Sequence, residues 1–305
     1  MVTAKVGRKE WLGCGGLVLF VGATSGLLFL LLRLRLPGPV AGGLTGFGAF
    51  VSFIAYGFVQ GSLNLLPARR LLSRAARGEQ VLEDGQPAAV SGPIHAVEGQ
   101  VPMEAPFTGR PCLAYGYTVE PSISGKKRSV LFGGIGSVPS EVRTTSGPLH
   151  LLGLLDLTEL PVQRCLDPED RRRAIAYMQA TTFEQLDVFD WARVYQLGRR
   201  LRTETGPFRQ DCRIWSTPGT GESYSYAEQC VEPRALVSVV GRYSGERRGL
   251  ERDPEDDLSF VLMPGDAATA ARELSRRIRW RVTAALATVA VVYAILWFVV
   301  MAKSP

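Results

Sequence analysis

The stretch Glu98-Gly-Gln-Val-Pro-Met-Glu-Ala-Pro-Phe-Thr-Gly-Arg-Pro-Cys-Leu-Ala-Tyr-Gly-Tyr-Thr-Val-Glu120 decides how the rest of the chain is read. It begins with glycine and proline, turns at Thr108 to Pro111, and continues as Cys112 to Val119, rich in apolar and aromatic residues with two polar interruptions. That pattern predicts a well-buried β-strand. No protease, kinase or metal motif lies within it.

The sequence around it has the same texture. Ala88-Ala-Val-Ser-Gly92, Leu149-His-Leu-Leu-Gly153 and Leu236-Val-Ser-Val-Val-Gly241 are short apolar runs ending in glycine, and Leu258 to Met263 is a further strand. Repeated short strands broken by Gly and Pro predict an antiparallel barrel- or sandwich-like sheet. Ser122 to Arg128 is expected to be a charged hairpin tip. Phe132-Gly-Gly-Ile-Gly-Ser137 has the glycine content of a phosphate cradle but not the G-x-x-x-x-G-K-[ST] spacing, and is expected to be a flexible loop. Asp167-Pro-Glu-Asp-Arg opens a helix with proline in its first turn and acids at the positive end of its dipole. A second helix is expected from about Thr182 to Leu197, with Phe183, Leu186, Phe189, Val194 and Leu197 on its apolar side. Such a helical insertion would serve as a lid or partner groove, or simply pack on the sheet. Asp253 to Asp257 is expected to be an acidic, solvated turn rather than a calcium loop.

Long uncharged segments enclose this β-rich region. Trp11 to Leu32 carries no charged side chain, nor does Leu36 to Ala68, nor Val282 to Ala302. Each is long enough to cross roughly 30 Å of hydrocarbon as a helix. The expected organisation is an N-terminal transmembrane hairpin over 1–66, with spans at about 11–32 and 41–65, then a basic juxtamembrane helix over 67–79, a soluble domain over 80–275 and a third span over 282–302. The glycines of the second span suit close helix packing in lipid. The fold class is thus a membrane-anchored α+β protein with three transmembrane helices. Asp266 is placed to cap a helix through about Arg281 that continues into the last span.

The 35 Lys+Arg against 29 Asp+Glu leave a net charge of +6, concentrated beside the apolar segments. Arg69, Arg70, Arg74 and Arg77 follow the second span, and Arg276, Arg277 and Arg279 precede the third. This distribution excludes the basic, aromatic-interleaved face of a nucleic-acid binder. It points instead to contact with anionic lipid and, by the positive-inside rule, to a cytoplasmic domain in an integral membrane protein. The five cysteines contain no C-x-x-C pair and in that compartment would be reduced.

Chemistry-bearing residues are few. The histidines are His95 and His150, each in or beside an expected strand. A Cys112 thiolate assisted by either imidazole is the sharpest catalytic arrangement available, and a buried strand cysteine is the ordinary alternative. There is no G-x-S-x-G turn, no H-E-x-x-H, no paired cysteine ligands and no nucleotide fingerprint. No catalytic residue, metal or cofactor is assigned on these grounds.

Five segments together resemble a known family. Val97-Glu-Gly-Gln, Ala105-Pro-Phe-Thr-Gly-Arg-Pro-Cys-Leu-Ala-Tyr115, Ser146-Gly-Pro-Leu-His-Leu-Leu-Gly153, Tyr226-Ala-Glu-Gln-Cys-Val-Glu-Pro-Arg-Ala-Leu-Val-Ser-Val-Val-Gly241 and Phe260-Val-Leu-Met-Pro-Gly265 are similar to the GIDE, or "beside a membrane", domain over about 80–275. Its signature falls here on Pro106, Gly109, Arg110, Pro111, Cys112, Tyr115, Glu228 and Gly241, as structural positions. The resemblance implies a β-rich domain next to a bilayer. The best-known members are mitochondrial ubiquitin ligases with a C-terminal RING, whose zinc ligands have no counterpart in this sequence. A RING-less bacterial relative of the inner membrane is expected. Its expected function is non-catalytic: a sensing or scaffold module that binds membrane lipid and a protein partner. The alternatives are a membrane-associated hydrolase or transferase, or a ligase-like role with a separate RING partner.

Overall fold

The computed structural model describes residues 38–79, 81–121, 132–153, 155–185, 206–213, 224–252 and 260–302, with positions 22, 26 and 30 in helical conformation. Apart from positions 22, 26 and 30, the expected span at 11–32 lies outside the described residues, as do the tip Ser122–Arg128, the acidic turn Asp253–Asp257 and the expected helix beyond Gln185. The chain forms two compact units, Met1–Leu66 with Arg272–Pro305, and Pro67–Ala271. Its helices are α1 (Gly38–Leu63), α2 (Leu66–Ala76), α3 (Pro168–Ala180) and α4 (Ala267–Ala302).

Among the described residues two stretches, Leu44–Ala76 and Ala267–Ile295, are long and apolar enough to cross a membrane; the span expected at 11–32 lies almost wholly outside them. Within the first unit their burial is inverted relative to a water-soluble bundle. Phe47, Phe50, Phe53 and Phe58 of α1 and Leu286, Val291, Ile295 and Phe298 of α4 are exposed, while Ser52, Ala55, Ser62 and Ala285 are buried. The Ser52 and Tyr293 hydroxyls lie 3.2 Å apart, and Ser62 Oγ donates to Phe58 O at 2.7 Å. Polar groups bonded inward and phenyl rings outward suit an apolar surrounding. The partner on which the glycines of α1 are expected to pack lies outside the described residues. A Cβ at Gly46, Gly57 or Gly61 would meet nothing within 4 Å among the described residues. As expected, Asp266 caps α4, its Oδ1 accepting from Thr269 N–H at 2.9 Å, and the helix continues without interruption through the apolar segment.

The β unit is built on a closed ring of five strands: β1 (Pro87–Ala96), β6 (Ser140–Thr144), β7 (Gly147–Leu152), β13 (Gly249–Glu251) and β12 (Leu236–Ser244). Numbered by their own order, the ring runs 1-2-3-5-4-1 with only the 3–5 pair, β7 with β13, parallel. This is the Greek-key connectivity of an OB-type barrel. The ring closes because β1 pairs twice, Pro87–Pro93 with β12 and Ile94–Ala96 with β6. Gly92 sits at that change of partner, where a Cβ would strike the Arg143 carbonyl. A further strand, β14 (Val261–Pro264), pairs with β12. Ile94, Val142, Leu250 and Leu262 are fully buried among the barrel residues, each burial contributing about 1.5–3 kcal/mol.

The three glycine-ended runs are all barrel strands, but two of the glycines do not end them. β1 and β12 run past Gly92 and Gly241, and a Cβ at Gly241 would lie 2.9 Å from Glu251 O and from the Phe260 ring. Both glycines mark close approach inside a strand.

Two insertions into the barrel make a second sheet. The first, between β1 and β6, holds β2 (Met103–Glu104), β3 (Pro111–Cys112), β4 (Ala114–Pro121) and β5 (Phe132–Ser137). The second, between β7 and β12, holds β8 (Gln163–Arg164), α3, β9 (Glu184–Gln185), β10 (Phe208–Arg213) and β11 (Tyr224–Val231). The sheet order is β8-β11-β4-β5-β10-β9, so strands of the first insertion lie between those of the second. The single strand expected over Cys112–Val119 is two, broken at Leu113, whose N–H donates to Val231 O instead.

Two expectations are overturned here. Phe132–Ser137 is not a loop: it is β5, paired on one edge with β4 and on the other with β10. Its glycines serve tyrosines. A Cβ at Gly134 would enter the Tyr117 ring, and one at Gly136 would come within 2.5 Å of Tyr115. The second helix does not start at Thr182. Thr181, with φ −91° and ψ 132°, ends α3, and Glu184–Gln185 pair in parallel with β10 while the Phe183 ring packs 4.8 Å from that of Phe132. The helix expected at Asp167 is α3, with Asp167 as its N-cap, accepting from Glu169 N–H at 2.8 Å.

Candidate functional site

The two faces of the second sheet differ in kind. One carries Tyr115, Tyr117, Val119, Tyr226 and Glu228 and packs with Phe107, Cys112 and α3 into a buried cluster. The other carries Gly116, Thr118, Ile135, Ala227 and Gln229 and lines a cavity. The chemistry-bearing residues divide between these faces and the barrel.

Glu228 is 2 % exposed, a buried carboxylate that accepts three hydrogen bonds. Phe107 N–H donates to Oε1 at 2.9 Å, and Thr108 N–H (3.1 Å) and Thr108 Oγ1–H (2.6 Å) donate to Oε2. The stretches Ala105 to Tyr115 and Glu228 to Gly241 therefore meet at one anchor. Charge-assisted bonds of this type are about twice as strong as neutral ones. Gly109 completes the turn at φ 66°, in the left-handed region, where a Cβ would also strike the Arg173 guanidinium. Pro106 is half-buried in the turn, Pro111 begins β3, and Arg110 reaches Glu232 at 3.5 Å on the surface, a pair worth little on its own. Phe107 to Arg110 thus form a turn braced by Glu228.

A second carboxylate, Asp211 of β10, ties α3 to the same face. Its Oδ1 accepts from Tyr117 OH (2.5 Å) and Tyr177 OH (2.7 Å), and its Oδ2 from Arg209 Nε (3.0 Å). The Arg209 guanidinium carbon lies 5.0 Å from the centre of the Tyr177 ring. Burial, and then the bonds to Asp211, raise both the Tyr117 and the Tyr177 phenol above the ordinary range; burial and the neighbouring Tyr177 raise Tyr115. Sequence reading missed this network because Asp211 and Tyr177 carry no local signature.

Cys112 and the histidines are not one site. Cys112 is fully buried in the cluster with Phe107 and Tyr115, and neither imidazole belongs to that cluster. Its thiol is pushed up to about 12 by burial, and the neighbouring Cys230 and Glu228 act in the same direction. A reactive cysteine needs electropositive, accessible surroundings. His95 and His150 both lie across from Glu141, one on β1 and one on β7. Burial, followed by Arg143 and Arg234, holds His95 below the ordinary imidazole value, with Glu141 opposing. Among the described residues no group of three or more His, Cys, Asp and Glu is placed to hold a metal ion.

The cavity on the opposite face measures about 490 Å³. Its floor is short of side chain because Gly116 and Ala227 stand where the other face carries tyrosines, and its wall is the returning segment with Leu155, Leu157 and Val162. Gln229 fixes that segment, donating to Leu157 O (3.1 Å) and Leu160 O (2.7 Å). Arg252 also lines the space. The arginines read as lipid-facing divide. Arg69, Arg70 and Arg74 are exposed on α2, opposite the buried Ala68 and Leu72, whereas Arg77 pairs with Glu79 at 2.9 Å. Arg276 and Arg277 both pair with Glu273, and Arg279 Nε donates to Ser275 O at 3.4 Å.

Compared with known proteins, the chain matches no family model, no curated protein and no solved structure.

Proposed function

We propose that this protein is a membrane-anchored binding module, in which a GIDE-like β unit is held at the cytoplasmic face of a bilayer to bind a ligand or partner rather than to catalyse a reaction. The observation that carries this reading is the inverted burial of α1 and α4: phenyl and aliphatic side chains outward, serine and alanine inward. The arginines of α2 and of the first half of α4 follow and precede the apolar stretches, as cytoplasmic flanks do. The cavity of the β unit supports binding.

Washing membranes that contain the full-length chain with alkaline carbonate tests the anchoring. Retention in the pellet is expected, with release only by detergent. Recovery in the carbonate supernatant would reduce the protein to a peripheral one and remove the basis of the proposal.

A further inference from the structure

We propose that Arg70 and Arg74, on the outward face of α2, hold the phosphate of an anionic phospholipid headgroup. Ala68 and Leu72 are buried and fix which side of α2 meets the protein. Arg70 and Arg74 stand on the opposite side, both exposed. Four residues of helical rise separate them by about 6 Å along the axis, so both guanidinium groups can reach one phosphate. Among the described residues neither side chain makes an ion pair or hydrogen bond, and α2 itself contains no acidic residue.

Helix physics disfavours this arrangement unless an anion completes it. Like charges four residues apart repel, and Arg69 and Arg70 stand near the positive end of the helix dipole. Elsewhere the chain neutralises its arginines itself. Arg77, next along the same face, pairs with Glu79 at 2.9 Å, and Arg276 and Arg277 pair with Glu273. The position of α2 in the chain selects the anion. It begins three residues after α1 ends at Leu63, so its arginines follow directly where the apolar stretch leaves the hydrocarbon, at the level of the headgroup phosphates. This inference rests on α1 spanning a bilayer.

Lipid selectivity separates the two. Full-length protein would be reconstituted in phosphatidylcholine vesicles carrying a trace of spin-labelled phosphatidylglycerol or spin-labelled phosphatidylcholine, and the motionally restricted fraction of each label measured. Restricted phosphatidylcholine reports insertion by itself; its absence would defeat the anchoring and this inference with it. The parent protein is expected to prefer phosphatidylglycerol by about two- to five-fold. Arg70→Gln/Arg74→Gln should lose that preference, and Arg276→Gln/Arg277→Gln, an equal loss of charge, should keep it. Inorganic phosphate added at constant ionic strength should leave the preference unchanged; its loss would assign the site to a soluble anion instead. In zwitterionic detergent Arg70→Gln/Arg74→Gln should melt no lower than the parent, because a repulsion is removed. Lower melting would make these arginines structural and overturn the proposal. No preference in the parent, or a preference that survives Arg70→Gln/Arg74→Gln or falls equally in both variants, would overturn the headgroup site while leaving the anchoring intact.

Discussion

Glu228 shows how much one buried carboxylate can organise. Three donors from Phe107 and Thr108 converge on it, and replacing it removes their shared acceptor from a buried or part-buried position. Glu228→Ala is expected to destabilise by about 3 kcal/mol, and Thr108→Val, which removes one charge-assisted bond, by about 1.5–3 kcal/mol. Thermal or urea unfolding of the two variants beside the parent protein measures this. A loss below 1 kcal/mol for Glu228→Ala would mean that the turn is held elsewhere. Asp211 behaves differently because Tyr117 and Tyr177 share Oδ1. Either tyrosine alone still supplies a donor, so Tyr117→Phe and Tyr177→Phe should each cost modestly, and the double variant should exceed their sum by about 0.5 kcal/mol or more. The same tyrosines set an alkaline limit. Their folded pKa values are raised, so their contribution is complete below the unfolded phenol value of about 10 and is lost as pH rises above it. The double Phe variant should show a flatter decline in stability across that range, and an unchanged decline would remove these phenols as the cause.

At the scale of elements, glycine placement explains what the sequence reading found and what it missed. Tyr115-Gly-Tyr117 on β4 faces Gly134-Ile-Gly136 on β5, each tyrosine ring lying over the glycine across from it. Read alone, the β5 glycines indicate a loop; paired with the β4 tyrosines, they indicate a strand with room for rings. The information was present, but in two segments whose register only pairing reveals. Barrel strands were legible because Ala88, Val90, Leu149 and Val237 carry the local apolar pattern, and the α3 cap because Asp167-Pro168 is a local signal. The ring closure, the Asp211 network and the cavity depend on contacts between distant residues, which no local pattern records. Gly134→Ala and Gly136→Ala are expected to destabilise by about 1–3 kcal/mol through overpacking against the rings. Gly116→Ala, on the cavity face, should change stability by less than about 1 kcal/mol. Equal losses at all three positions in unfolding experiments would show that the rings do not set the requirement.

For the whole molecule, each unit has its own logic. The β unit buries its apolar side chains and pairs its carboxylates, as a water-surrounded protein does, while α1 and α4 expose phenylalanines and bury serines. The same chain thus shows two opposite burial rules, and the change of rule falls near the arginines of α2 and α4. The charge asymmetry on which the proposed cytoplasmic placement of the β unit rests was readable from sequence, because topology depends on local charge beside apolar segments. Side-specific labelling tests that claim most directly. Thr145 is exposed in the turn between β6 and β7, and Thr145→Cys provides an accessible thiol, with the unmodified protein as background. Intact cells would be treated with a membrane-impermeant maleimide, with lysed cells as the positive control. Protection in intact cells and labelling after lysis is the expected result for a β unit anchored at the cytoplasmic face; labelling in intact cells would place it outside and contradict that assignment.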